Sequence, residues 1–361
     1  MQTIESPRLI LRKFTTGDFA ATHSFASVAE NITYCMFGPN DEAATRSFIQ
    51  TRITNAQANP ITNYSFAVTI KESGAMIGSG ELHMRETFHG AGEAEVGWIL
   101  HQSHWGTGLG TELGQRLLEF GFESLGLHRI IARCNADNLA SARIMEKIGM
   151  RKEAHLQDAR PPHKKSTRPF SDELRYAMLK DDWNIQKEIA HYNTLPCEFN
   201  GFAETPTLTD GEIYLVCTEK KPANPEKKHV PSYSFAICRS GEKVGTLNLR
   251  IGYGGGHHNS SLYYGGHIGY EIQEPYRGKS YATRACKLLA PIARHHKMQT
   301  LLITNNTENH ASRRVCEKLG AKLLRMVRIP EHDDLYKTGQ RFENIFEWAV
   351  ENSAALPHLL S

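Results

Sequence analysis

The run His104-Trp-Gly-Thr-Gly-Leu-Gly-Thr111 alternates three glycines with other residues and leads straight into an amphipathic stretch, Glu112 to Leu125. A short apolar strand candidate, Ala94 to Leu100, stands just upstream. Strand, glycine loop and helix in that order aim free backbone N–H groups and a helix dipole at a phosphate. The pattern recurs at Tyr276 to Thr283, and the recurrence has a register. Val96-Gly97-Trp98 answers to Ile268-Gly269-Tyr270, and Gly106 to Gly278, both 172 residues on (268 − 96; 278 − 106). Asn138, Ser141 and Gly149 answer to Asn309, Ser312 and Gly320, 171 residues on (309 − 138; 312 − 141; 320 − 149). Blocks in the same order at nearly one spacing identify a tandem duplication rather than a short-period solenoid. At 361 residues the chain is too long for one ordinary core.

Composition narrows the class. With 40% hydrophobic and 22% charged residues the sequence reads as a folded globular protein rather than a disordered one. A net charge of +3 gives no reason to expect a nucleic-acid partner, and no apolar run approaches the ~20 residues that span a bilayer, so no membrane partner is expected. Seven scattered cysteines without a C-x-x-C pair read as reduced thiols in a cytoplasmic protein. Met1 to Glu5 lacks the basic and apolar regions of a signal peptide. Monomer and homodimer stay open.

Along the chain, Arg8–Phe14 alternates like a half-buried strand, and Thr15, Thr16 and Asp18 supply capping chemistry for a helix to about Ala26. Asn31 to Asn63 shows no clear apolar period and reads as helix and loop whose bounds stay open. Tyr64–Ile70 and Ala75–His83 read as paired strands, Arg129–Cys134 as the strand after the glycine helix, and Asp172–Leu179 as the closing strand. Arg160–Arg168 is a basic segment, read first as a solvated loop and otherwise as the rim of an acceptor site. Residues 184–205 form a connecting helix and linker between a first domain, 1–183, and a second, 206–361. In the second, Glu212–Cys217, Ser232–Cys238 and Lys243–Ile251 are strands, and Gly252–Gly266 is a loop rich in glycine, His and Tyr. Pro291 falls inside the helix after the second loop, where it is expected to kink it.

Two phosphate motifs fail. Gly106-Thr-Gly108-Leu-Gly110 has the wrong spacing for a dinucleotide fingerprint, and Gly278-Lys279-Ser280 has Gln273 where a P-loop needs glycine. The whole series resembles the GNAT acetyltransferases instead: Val96 to Leu100, Trp105 to Gly110, Asn135-Ala-Asp-Asn138-Leu-Ala-Ser141 and Glu146-Lys-Ile-Gly149. The opening Ser6–Arg12 and closing Asp172–Trp183 resemble the ribosomal-protein-acetylating (RimJ/RimL-type) branch. The second half resembles a more divergent GNAT domain through Ile268-Gly-Tyr, Arg277–Ala282, Asn306–Ser312 and Glu317–Gly320.

The resemblance implies an α/β fold (α+β mixed sheet) of two tandem GNAT domains, each a splayed mixed β-sheet flanked by helices, with acetyl-CoA lying where two central strands part. It implies that the loop residues Trp105, Gly106, Thr107, Gly108, Leu109, Gly110 and Thr111 bind the CoA pyrophosphate. Backbone groups of Trp98, Ile99 and Leu100 hold the pantetheine arm, and Asn138 contacts that arm. The second set is Ile272, Arg277, Gly278, Lys279, Ser280, Tyr281, Ala282, Thr283 and Asn309. Ser280 departs from the family pattern, where glycine is usual.

Acetyl transfer needs an unprotonated amine, and an alkyl amine has a pKa near 10.4, so a base helps. Strand alternation puts Glu93, Glu95, Gly97 and Ile99 on one face. Glu95 is the candidate base, or else a solvated surface carboxylate. The resemblance implies that Ser141, and Ser312 by register, hydrogen-bonds the departing thiolate; the other reading is that it satisfies free N–H groups at a helix start. His267 takes Glu95's place in the second half, as a base or as a polar residue at the rim of the histidine-rich loop. His257 and His258 are adjacent histidines without supporting carboxylates, so no metal site is expected. Three readings remain for the activity. They are an N-acetyltransferase acting on a small-molecule amine such as an antibiotic or polyamine, one acting on protein N-terminal α-amines, and a pair with one catalytically silent, pocket-shaping domain.

Overall fold

The computed structural model describes residues 1–85, 92–226, 229–253, 260–331 and 333–350. The chain divides into two compact units, Met1–Ile185 and Gln186–Ser361.

Unit 1 runs β1 (Ile4–Glu5), β2 (Leu9–Arg12), α1 (Phe19–Ala26), α2 (Glu42–Asn55), β3 (Asn63–Ile70), β4 (Met76–Arg85), β5 (Glu93–Leu100), α3 (Leu109–Glu119), β6 (Arg129–Asn135), α4 (Leu139–Lys147), β7 (Arg151–Arg160) and β8 (Ser171–Leu179). Helix α5 (Lys180–Asn193) crosses the division. Asp18 takes the Thr15 N–H before α1, as its capping residues suggested. The unpatterned segment contains α2, which starts where Asp41 Oδ1 accepts from the Ala44 N–H. Its stripe is thin, only Thr45 and Ile49 being buried, which is why no period was visible. The strands form one sheet in the order β1-β2-β3-β4-β5-β6-β8-β7, antiparallel except for β5 and β6. Its core is apolar: Leu11, Phe66, Leu82, Val96 and Ile130 meet Leu109, Leu113 and Leu117 of α3, which recur every fourth residue on one helix face.

Unit 2 continues with β9 (Leu208–Thr209), β10 (Tyr214–Lys221), β11 (Ser232–Arg239), β12 (Glu242–Arg250), α6 (Ser260–Gly265), β13 (Ile268–Ile272), α7 (Tyr281–His295), β14 (Thr300–Asn306), α8 (His310–Leu319), β15 (Lys322–Arg328), α9 (Asp334–Lys337) and β16 (Phe342–Ala349). Here the ladder is split. The order β13-β12-β11-β10-β9 forms one sheet and β14-β16-β15 another. Helix α7 runs on through Pro291 as one element of fifteen residues. Among the described residues no helix is long and apolar enough to cross a membrane, and no cluster of metal-ligating side chains occurs. His257 and His258 lie outside the described residues.

Candidate active sites

In unit 1, β5 and β6 pair only at Glu93–Arg129, Ala94–Ile130 and Glu95–Ile131 and then part, opening a wedge. The His101 N–H still bonds Ile77 O on β4. Antiparallel alternation therefore turns the backbone groups of Val96, Trp98 and Leu100 toward the wedge. The Leu100 carbonyl is taken by the Trp105 indole N–H at 2.9 Å and the Asn31 amide at 3.2 Å. That fixes the glycine loop against the strand end. The loop ends at Gly108, whose φ of 81° is open to glycine and strained for most other residues. No side chain caps α3, and its first backbone bond runs from Glu112 N to Gly108 O. The N–H groups of Leu109, Gly110 and Thr111 are therefore left without helical partners. Across the wedge, α4 is closed off: Asn138 Oδ1 accepts from the Ser141 N–H at 3.1 Å.

The resulting cleft, about 540 Å³, is lined by Trp98, Ile99, Leu100, Trp105, Gly106, Gly108, Gly110, Thr111, Asn138 and Ser141, as the resemblance implied. Thr107 and Leu109 do not line it. The Thr107 hydroxyl donates to His104 O, and Leu109 is buried in the core. Sequence reasoning missed Arg143 and Lys147, which line the cleft from α4, although their spacing of four put them on one helix face. It also missed the far wall, where Asn31, Tyr34 and Cys35 line the cleft. Burial raises the Cys35 thiol to about 11. The basic segment turns out to be anchored: the Lys164 ammonium donates to the carbonyls of Ile32, Cys35 and Phe37, and Lys165 reaches the cleft. Most of the segment stays exposed, as the solvated-loop reading expected, and only Lys165 of it lines the cleft.

Unit 2 builds the same cleft, about 520 Å³, from the equivalent residues. Arg277 Nε donates to the Ile272 carbonyl at 3.0 Å, taking the place of the Trp105 indole. Ser280 adopts φ 61° where unit 1 has Gly108, and its hydroxyl accepts from Lys318 Nζ at 2.8 Å. Helix α7 has no side-chain cap either, whereas Asn309 Oδ1 caps α8 by accepting from the Ser312 N–H at 3.0 Å. Ile272, Arg277, Gly278, Ser280, Tyr281, Ala282, Thr283, Asn309 and Ser312 all line the cleft. Lys279 does not; its ammonium sits 5.5 Å from the Tyr276 ring centroid. Missed here were Arg314 and Lys318, which line the cleft from α8, and Tyr270, the counterpart of Trp98, whose hydroxyl lies 2.8 Å from Ser312 Oγ.

Two base expectations need correction. Glu95 is neither free nor simply solvated. Arg133 holds both its oxygens, Nε to Oε1 at 2.9 Å and Nη2 to Oε2 at 2.7 Å. Arg85 adds a third contact, Nη1 to Oε2 at 3.5 Å, so both oxygens face arginines. Its neighbours are equally committed. Glu81 pairs with Arg52 and His83, Glu93 with Arg129 and Arg85, and Glu173 with Arg175, Arg160 and Arg133. Burial opposes ionisation of Glu81, but hydrogen bonding from His83 and the charge of Arg52 outweigh it and bring its carboxyl to about 2. His83, bonded in turn to Glu81, is raised above its ordinary value. His267 is fully buried and outside the cleft. Its Nδ1 accepts from the Leu302 N–H at 2.8 Å, so Nε2 carries the proton and donates to Gly252 O at 2.8 Å. Burial pushes it down to about 4. With its own N–H bonded to Leu302 O, His267 is the stitch that joins β13 to β14 where strand pairing stops. It is structural.

Comparison with known proteins identifies a family. The profile of the acetyltransferase (GNAT) domain matches residues 8–151 and again 168–322. An uncharacterized N-acetyltransferase, YnaD, of Bacillus subtilis (strain 168) is 30% identical over 182 residues, which are 50% of this chain and 99% of the relative. An uncharacterized N-acetyltransferase, p20, of Bacillus licheniformis is 29% identical over 184 residues, 51% of this chain and 99% of its own length. The crystal structure of a GNAT-family acetyltransferase from Bacillus anthracis is 30% identical with a TM-score of 0.43, covering 50% of this chain and 99% of that one. Each of these relatives is matched along almost its whole length by half of this chain.

Proposed function

Because the chain belongs to the GNAT acetyltransferase family in both of its halves, we propose that each unit binds acetyl-CoA and transfers the acetyl group directly to a primary amine of a small molecule. The observation that carries this reading is the contrast between the two helices beside each cleft. Helices α4 and α8 begin with asparagine caps, whereas α3 and α7 begin uncapped, on a left-handed residue, with their first N–H groups free. Uncapped donors at a helix start suit an anion, and a pyrophosphate supplies one. Arg143 and Lys147 in one cleft and Arg314 and Lys318 in the other add cations for further phosphates. The wedge-facing backbone of Val96 and Trp98 matches an extended, amide-bearing arm such as pantetheine.

Attack on the thioester needs the lone pair of a neutral amine, and the sulfur leaves with the electrons of the C–S bond. In unit 1 the Ser141 hydroxyl lines the cleft and has no hydrogen-bond partner among the described residues, so it is available to that sulfur. In unit 2 Tyr270 and Ser312 share one hydrogen bond and offer a hydroxyl pair for the same role. The arginine-paired carboxylates on the sheet of unit 1 leave no row of free negative charge, which suits a monoamine better than a polycation.

Release of CoA thiol from acetyl-CoA, measured across small primary amines and peptides with free N-termini, tests the proposal. Turnover is expected with at least one small amine and with none of the peptides above the amine-free background. A preference for peptides would overturn the small-molecule reading in favour of N-terminal acetylation.

A further inference from the structure

The two units differ in what forms the far wall of the cleft. In unit 1 the connection from β2, ending at Arg12, to β3, starting at Asn63, carries α1, α2 and the wall residues Glu30, Asn31, Thr33, Tyr34 and Cys35. In unit 2 the corresponding connection runs only from Lys221 to Ser232, and no described residue of it lines the cleft. The rim differs as well. Lys165, between β7 and β8, lines the cleft of unit 1, whereas no described residue between β15 and β16 lines that of unit 2.

The wall of unit 1 is fixed at both ends. Asn31 donates to Leu100 O and accepts from the Gln102 N–H at 2.6 Å. The Tyr34 hydroxyl donates at 3.2 Å to Asp137 O, in the turn before α4. The Thr33 hydroxyl is turned back onto the carbonyls of Ala29 and Glu30, at 3.1 and 3.0 Å. The rim is bonded to the wall in turn. The Lys164 N–H donates to Thr33 O at 3.1 Å, beside the three carbonyls that hold its ammonium. The His163 ring lies 5.1 Å from that of Tyr34, with Nε2 3.2 Å from Asp137 Oδ2. Two charged residues of this assembly are unspent. Lys165 and Glu30 line the cleft and are exposed, and neither the ammonium of the first nor the carboxylate of the second has a hydrogen-bond or ion-pair partner among the described residues. Arg143 and Lys147, on α4, stand on the cofactor side, whereas Lys165 is carried by the segment bonded to the far wall. A cation presented from a fixed backbone without a counter-ion suits an anion that arrives and leaves, because little order is lost when the two meet.

We propose that the acceptor of unit 1 is an amino acid or a related primary amine that carries a carboxylate, with Lys165 holding that carboxylate and Glu30 attracting the ammonium as the acceptor arrives. The inference rests on unit 1 being an acetyltransferase. Two opposite charges on one wall match a zwitterion better than a simple amine. Glu81, Glu93, Glu95 and Glu173 on the sheet are each paired with arginine, so they do not repel a carboxylate. A peptide has an amide where an amino acid has its carboxylate, so the same lysine separates the two classes. Lys165 makes and breaks no bond. It is a specificity residue, and its effect belongs in KM.

The test uses the full chain carrying Ala282→Phe, whose ring fills the cleft of unit 2 and confines acetyl-CoA to unit 1. Calorimetry follows acetyl-CoA binding, and thiol release is measured with matched pairs that differ only by the carboxylate: norleucine with n-pentylamine, and 5-aminopentanoate with n-butylamine. At least one carboxylate-bearing member is expected to exceed its partner in kcat/KM by about tenfold or more. Lys165→Ala is expected to bring that ratio within about threefold through KM, with kcat little changed, and Lys165→Arg to retain it. Glu30→Gln is expected to raise KM for both members of a pair alike, because both carry the ammonium. Turnover without a carboxylate preference in either pair overturns the proposal, and so does a preference that survives Lys165→Ala. A unit 1 that binds acetyl-CoA and acetylates none of the four amines, or that binds no acetyl-CoA, overturns instead the reading beneath it, and the proposal with it. If Ala282→Phe does not fold, the same variants are read in the otherwise unaltered chain: a preference lost on Lys165→Ala supports the role, and one left unchanged refutes it.

Discussion

On the cofactor side, unit 2 reaches the geometry of unit 1 with different side chains. Arg277 replaces Trp105 as donor to the strand-end carbonyl. Glu112, held by Arg8 at 2.7 Å, becomes Arg284, held by Glu212 at 2.8 Å, so the ion pair anchoring the loop helix is reversed in sign. On the other face the side chains change, from the arginine-paired Glu95 and Glu173 of unit 1 to the buried His267 and to Glu343, which has Thr304 and Ile345 at the positions of Arg133 and Arg175. A cofactor loop is defined by its φ angles and by where its N–H groups point, and several residue pairs satisfy those demands. An acceptor face is defined by which charges are free, and a single substitution alters that.

The largest break in the comparison is expected at His267, which has no structural equivalent in unit 1. His267→Ala leaves the Leu302 N–H and the Gly252 carbonyl buried without partners, a loss of about 2–4 kcal/mol from unit 2 with unit 1 unchanged. Urea unfolding resolves the two units. The same residue gives unit 2 an acid sensitivity. With a folded-state value of about 4 and an ordinary value near 6.5, the unfolded chain takes up the proton first as pH falls. The His267 contribution is full above about pH 6.5 and drains away toward pH 4, by about 3 kcal/mol in all. Glu343, raised to about 7, contributes the opposite slope over an overlapping range, so the difference between the parent and a His267 variant is what reads it. His267→Gln removes this dependence, and its persistence in that variant would show that another group carries it.

A smaller effect separates Gly110 from Ala282. A Cβ on Gly110 would lie 2.7 Å from Ile144 Cδ1, whereas unit 2 carries Ala282 opposite Val315, which lacks that atom. Gly110→Ala alone is expected to cost unit 1 about 1–2 kcal/mol through overpacking. Adding Ile144→Val is expected to return at least about half of it, a coupling that thermal unfolding of the double-mutant cycle reads directly. Strict additivity would mean that the two loops are not built alike.

Much of this was legible in the sequence. The 172-residue echo located both clefts because glycines at loop positions and asparagine at a helix cap are demanded by backbone geometry, which is local. The acceptor chemistry was not legible. Alternation put Glu95 on the correct face, but nothing near it in sequence announced Arg133, thirty-eight residues on and bound to both its oxygens. His267 was misread for the same reason: its two ring partners come from Gly252 and Leu302, on separate elements. The bounds of helix α2 within a segment read as unresolved helix and loop were not legible, because a helix with few buried residues leaves no period to detect.

Calorimetric titration of the intact chain with acetyl-CoA tests the central claim most directly. Two working clefts predict two equivalents bound per chain, falling to one when Gly110→Phe fills the cleft of unit 1. A single equivalent in the parent would contradict the claim that both units are cofactor sites.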